Sequence, residues 1–103
     1  SNVFFIAGNK LFTPPDDKVL QGIARSKILE ICREHHLNLQ MRKIHQEELN
    51  DFGTAFLSGT TPKILPIKRI DNVCFSVENR ILDFLMQAYN DKIEQYIKDY
   101  LLF

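Results

Sequence analysis

The run Thr54 to Ser58 carries Ala55, Phe56 and Leu57 in succession with no polar residue between them. A strand without apolar and polar alternation is covered on both faces, so this chain has to lay structure on each side of a sheet. The strand ends in Ser58-Gly59-Thr60-Thr61, small polar residues at the rim of a buried element. The chain has 103 residues, 45% of them hydrophobic and 25% charged, which describes one folded domain with a core of its own. It is too short for a two-domain enzyme, so a cleft formed between two domains would be only half present.

Residues 3–7 and 10–13 are β-prone runs around Gly8-Asn9, a dipeptide suited to a tight hairpin turn. Pro14-Pro15-Asp16-Asp17 interrupts the pattern, and beyond Gly22 the residues Ala24, Ile28, Ile31 and Cys32 share one helical face, which predicts a helix over 23–35. Residues 38–44 alternate as a half-buried strand, and 46–50 form a short helical turn. Residues 64–70 and 73–75 read as a strand pair turning at Asp71-Asn72, with Ser76 as N-cap of a final helix. The stripe of that helix is Ile81, Leu85, Tyr89, Ile93, Ile97 and Tyr100. Hairpins and helices without regular βαβ alternation predict an α+β, or irregular α/β, domain with a curved, barrel-like mixed sheet and flanking helices.

Thirteen basic and thirteen acidic residues leave no net charge, so nothing draws in nucleic acid or an anionic membrane from a distance. Cys32 and Cys74 suit core packing in a reduced setting better than a disulfide framework. With neither an apolar run of membrane-spanning length nor a signal-like start, the sequence reads as a soluble, cytoplasmic protein. His35, His36 and His45 lack the companions of a metal site, so no metal is expected. Glu47, Glu48 and Asp51 read as a solvated face, and Tyr89, Tyr96 and Tyr100 as packing or a subunit contact.

Two segments concentrate groups that hold a phosphate without a large charge. In Leu20-Gln21-Gly22-Ile23-Ala24-Arg25 a glycine precedes a helix whose first N–H groups are free to bind an anion. In Ser58-Gly59-Thr60-Thr61 hydroxyls and backbone N–H groups gather at a strand end. Each alone is ordinary punctuation between elements. Their order together with Asn2-Val3-Phe4 and Leu11-x-Thr13 resembles the signature of the class IV, fold-type IV aminotransferases, and Phe56 to Thr61 followed by Leu65-Pro66-Ile67 resembles that family's second phosphate loop.

The resemblance implies the C-terminal domain of the D-amino acid aminotransferase-like fold, cradling pyridoxal phosphate in residues 1–103. It implies that Leu20 packs against the cofactor ring, that Gly22, Ile23, Ala24, Gly59 and Thr60 hold the phosphate, and that Thr61 borders the substrate. Ala24 replaces a threonine frequent in the family, and Pro62 lacks an N–H. The family's cofactor-bonding lysine and ring-contacting glutamate match no position here and are expected upstream of Ser1. Lys10, Lys18, Lys27, Lys43, Lys63, Lys68, Lys92 and Lys98 all have charged or amphipathic surroundings, so no catalytic residue is assigned and the chain alone is expected to be inactive. The reaction implied for the parent is amino-group transfer between an amino acid and a 2-oxo acid. An aminodeoxychorismate lyase fragment is the alternative within the family, and a non-catalytic domain that binds a small anion or a partner is the alternative outside it. A face bared by the missing domain predicts a homo-oligomer.

Overall fold

The computed structural model describes residues 2–15, 23–59 and 64–101. Strands β1 (Asn2–Ala7) and β2 (Lys10–Thr13) form the expected hairpin, with Gly8 at φ +62° in the turn, where a side chain would be strained. Helix α1 (Ile23–Glu34) follows, then β3 (Asn38–Met41), a short 3-10 helix (Gln46–Asp51), β4 (Thr54–Ser58) and β5 (Ile64–Pro66). A separate hairpin of β6 (Arg69–Ile70) and β7 (Val73–Cys74) precedes the long helix α2 (Arg80–Leu101).

The main sheet has the order β3-β2-β1-β4-β5, with only the β2–β3 pair parallel. It is the expected mixed sheet of an α+β domain. The barrel-like closure is not found: among the described residues β3 and β5 remain open edges, because the chain leaves β5 at Pro66 to build the small hairpin. Proline has no N–H for a further strand and is tolerated at such an edge.

Strand alternation divides the core between two layers. Phe4, Ile6, Leu11 and Phe56 point to the helices, where Ala24, Ile28, Ile31 and Cys32 of α1 and Leu82, Leu85 and Tyr89 of α2 cover them. Phe5, Phe12 and Ala55 point the other way, onto Leu49, Phe52 and Phe75. The covering of β4 on both faces is therefore real: Ala55 and Phe56 have no exposed surface. Phe4 and Phe56, paired in register, stack with ring centroids 5.0 Å apart and an interplanar angle of 2°.

Several local readings are corrected. Residues 64–70 are two strands in different sheets. The N-cap of α2 is Asn79, whose Oδ1 accepts from the N–H groups of Ile81 and Leu82 at 2.9 and 3.1 Å, whereas the Ser76 hydroxyl closes a local turn with Glu78. The buried stripe of α2 is Leu82, Leu85 and Tyr89; Ile97 is 49% exposed, because the helix outruns the core that it covers. Cys32 is buried as expected and its thiol is pushed up to about 11 by burial, but Cys74 is exposed. Alternation turns Val73 and Phe75 inward and leaves Cys74 outside.

Helix α1 ends in a Schellman arrangement: Leu37 N–H bonds to Cys32 O at 2.8 Å and His36 N–H to Arg33 O at 3.3 Å. His36 sits there at φ +55°, where glycine is at ease and a Cβ is not. Replacing it, His36→Gly, is expected to stabilise the chain by about 1 kcal/mol, read as a higher urea midpoint at unchanged slope. A lower midpoint would contradict that reading of the turn.

Lys92 of α2 bridges to Glu30 and Glu34 of α1 at 2.8 and 3.0 Å. The hydrogen bond from Lys92, and then its charge, holds the Glu30 carboxyl below its usual range, and bonds to Glu30 and Glu34 raise Lys92. A carboxyl depressed by folding contributes stability above its ordinary range and loses it as pH falls through the depressed value. Lys92→Met is therefore expected to flatten part of the acid limb of a stability–pH profile, by less as salt is added because the pair is solvent-screened. Parallel profiles for the two proteins would overturn this.

Candidate functional site

The register places one end of five strands along a single sheet edge. Thr13 is paired with Met41, Asn2 with Ser58, and Ser58 with Ile64. The Thr13 hydroxyl donates to Val3 O at 2.7 Å and ties β2 to β1 there. Of the suggested phosphate segments Leu20–Arg25 and Ser58–Thr61, the described parts are residues 23–25 at the start of α1 and residues 58–59 at the end of β4. Leu20, Gly22, Thr60 and Thr61, along with Pro62 and Lys63, lie outside the described residues. Ile23 begins α1, Ala24 is buried in its first turn, and Gly59 directly follows β4.

The start of α1 is anchored to the edge by Arg25. Its Nη2 donates to Pro14 O at 3.2 Å and lies 3.9 Å from Met41 Sδ, joining α1 to the ends of β2 and β3. Only 1% of Arg25 is exposed. Its Nε has no hydrogen-bond partner, and among the described residues no ion pair includes it. Ser58 Oγ, on the helix side at the end of β4, is likewise buried without a partner. Buried polar groups are normally satisfied, so these two stand out among the described residues.

Two concavities flank the edge, each with mixed apolar and polar lining. A cavity of about 220 Å³ beside the start of β5 is lined by Ile64, Met86, Tyr89 and Asn90. The Tyr89 hydroxyl has no partner, and burial raises its pKa. On the opposite face a groove of about 660 Å³, lined by Val3, Phe5, Leu57 and Ile67 among others, reaches Pro14.

Other residues singled out in the sequence have structural work. Glu48 is not merely solvated: it pairs with Arg42 at 2.8 Å and accepts the His45 N–H at 2.8 Å, and these bonds, Arg42 first, lower its pKa. Arg42 also lies over the Phe12 ring, 5.0 Å from its centroid. His35 meets Phe84 edge-on at 4.9 Å. Tyr89 is core, while Tyr96 is 60% exposed. None of the described lysines is buried, and Lys92 is held charged by two glutamates. Among the described residues no helix is long and apolar enough to cross a membrane.

The burial of Arg25 was readable in principle. Arg25, Ile28 and Cys32 follow at i, i+3 and i+7 along the apolar stripe, a position where a cation has to be held by something.

The described residues form a five-stranded mixed sheet with α1 and α2 packed on one face. Residues 1–70 match the model of the amino-transferase class IV family, and the chain belongs to that family. It is 33% identical to a probable branched-chain-amino-acid aminotransferase of Rickettsia bellii over 86% of this chain and 32% of that protein. The solved structure of a putative 4-amino-4-deoxychorismate lyase from Legionella pneumophila superposes with a TM-score of 0.80 at 30% identity, over 87% of this chain and 34% of that one. An aminotransferase from Brucella abortus, solved bound to the cofactor PLP, gives 0.78 at 25% identity, over 89% and 33%. The chain thus spans about a third of the length of these relatives.

Because Ser58 Oγ has no internal partner, Ser58→Ala is expected to leave the unliganded stability unchanged or raise it by about 1 kcal/mol, while weakening phosphate binding. Denaturation with and without 50 mM phosphate, roughly the range that reveals weak sites through linkage, checks both effects. A clear loss of stability without ligand would mean that the hydroxyl already serves the fold.

Proposed function

We propose that this chain is the C-terminal, phosphate-holding part of a pyridoxal-phosphate-dependent aminotransferase, which moves an amino group between an amino acid and a 2-oxo acid. The observation that supports the reading is that the described ends of both suggested segments, the start of α1 and the end of β4, carry the buried Arg25 and the orphaned Ser58 Oγ. These donors fit a phosphate dianion, which accepts several hydrogen bonds and favours a helix start.

When bound, the cofactor supplies an electron-accepting ring for chemistry at the carbon that carries the amino group. The chain's own residues bind and orient it. Gly22, Ile23 and Ala24 would offer N–H groups to the phosphate, Gly59 and Thr60 would offer theirs with the Thr60 hydroxyl, and Leu20 would pack against the ring. Thr61 N–H would hold a substrate carboxylate. The buried strands Phe4–Phe5 and Ala55–Phe56 behind the edge keep both segments on a rigid support. The residue that bonds the cofactor and moves the substrate proton comes from polypeptide outside these residues, so catalysis needs a larger protein.

A lyase acting on aminodeoxychorismate is the second reading, favoured by the likeness to the Legionella protein. Both readings use the same edge and differ in what the pocket accepts. Homo-oligomer formation and a cytoplasmic setting are further parts of the proposal, drawn from the sequence.

The purified chain is expected to bind pyridoxal phosphate reversibly, to form no stoichiometric adduct after borohydride reduction and to show no transaminase turnover. Mass spectrometry and a coupled assay with branched-chain amino acids and 2-oxoglutarate check this. A single lysine modified in full, or turnover by the chain alone, would overturn the division of labour.

A further inference from the structure

We propose that Arg25 is an electrostatic partner of the phosphate: a positioning residue whose buried guanidinium, without an ion pair among the described residues, sets how strongly this edge prefers a phosphate dianion. The inference deepens the functional reading above and rests on its claim that the edge holds a phosphate.

A buried charge is ordinarily paired or loses its charge, and a guanidinium does not lose it. Arg25 has one weak neutral acceptor, Pro14 O at 3.2 Å, and one soft contact, Met41 Sδ at 3.9 Å; its Nε has none. Among the described residues Lys92 and Arg42 have carboxylate partners and Arg25 does not. The three ion-paired cations among the described residues, Lys27, Arg42 and Lys92, are at least a quarter exposed, whereas Arg25, with no ion pair among those residues, is 1% exposed. Packing explains the aliphatic part of the side chain, which lies on the apolar stripe of α1, but a methionine would pack as well without the cost of desolvating a charge. An anion at the start of α1 resolves this: it meets the free N–H groups and the helix dipole, and it compensates a cation rooted in the same turn. Arg25 also fixes that turn to Pro14, so the charge and the geometry of the site depend on one side chain.

The test compares pyridoxal phosphate, pyridoxal without its phosphate and inorganic phosphate on wild type, Arg25→Gln and Arg25→Lys, by calorimetry and by thermal shift. Removing the charge in Arg25→Gln is expected to weaken pyridoxal phosphate and inorganic phosphate by about tenfold or more, with pyridoxal changed little. Arg25→Lys keeps the charge and is expected to remain within about threefold of wild type for both phosphates, even where lost packing lowers its melting temperature. Equal losses for pyridoxal and its phosphate, or an Arg25→Lys loss as large as that of Arg25→Gln, would assign Arg25 a merely structural role and overturn the proposal. If Arg25→Gln does not fold, the lysine variant decides alone: phosphate binding near wild type supports the proposal, and its loss overturns it. Arginine-dependent binding of inorganic phosphate without binding of pyridoxal phosphate would sink the aminotransferase reading and leave this one standing. Binding of neither phosphate by wild type would sink both.

Discussion

The antiparallel pairing of β1 with β4 is the contact on which the remainder rests. It sets Phe4 beside Phe56 and Phe5 beside Ala55, so one ladder places aromatic mass in both layers of the core. Truncating a fully buried ring of this kind costs roughly 3–5 kcal/mol, a large share of the ~5–15 kcal/mol that holds a domain folded. A one-residue slip would exchange the two faces and bring Phe56 out of the helix layer. The same register puts Ser58 opposite Asn2 and next to Ile64, and so fixes where the second phosphate segment leaves and returns. The chemistry of the edge is a consequence of the core register.

On the proposed reading, a neutral chain would recognise phosphate by direction rather than by surplus charge. The expected donors are backbone N–H groups and hydroxyls held by strands and a helix, with a single buried arginine behind them. Oriented dipoles cost little to reorganise once the scaffold is folded, and they leave no basic surface to attract other polyanions.

Much of the architecture was legible. Two β-prone runs around Gly8-Asn9 located the first hairpin, the stripe from Ala24 to Cys32 located α1, and the unbroken Ala55-Phe56-Leu57 run located a strand covered on both sides. What was missed depended on tertiary context. Pro66 ends one strand and lets Ile67 turn into the second layer, which local propensity for residues 64–70 does not encode. Asn79 and Ser76 are both good caps, and the choice between them follows from where α2 meets the sheet. The shift from Ile81 to Leu82 at the head of the buried stripe has the same origin. For the candidate site, motif order suggested both segments, and the structure adds what order could not: Arg25 lies buried at the start of α1 with its Nε unpaired, and Ser58 Oγ is buried at the end of β4.

The most direct test of the central claim is a crystal structure of the chain with bound pyridoxal phosphate. The account predicts the phosphate between the start of α1 and the end of β4, with oxygens within hydrogen-bond distance of the Ile23 and Ala24 N–H groups and of the segment that begins at Ser58. A phosphate bound elsewhere, with Ser58 Oγ and Arg25 Nε satisfied by other protein groups, would contradict it.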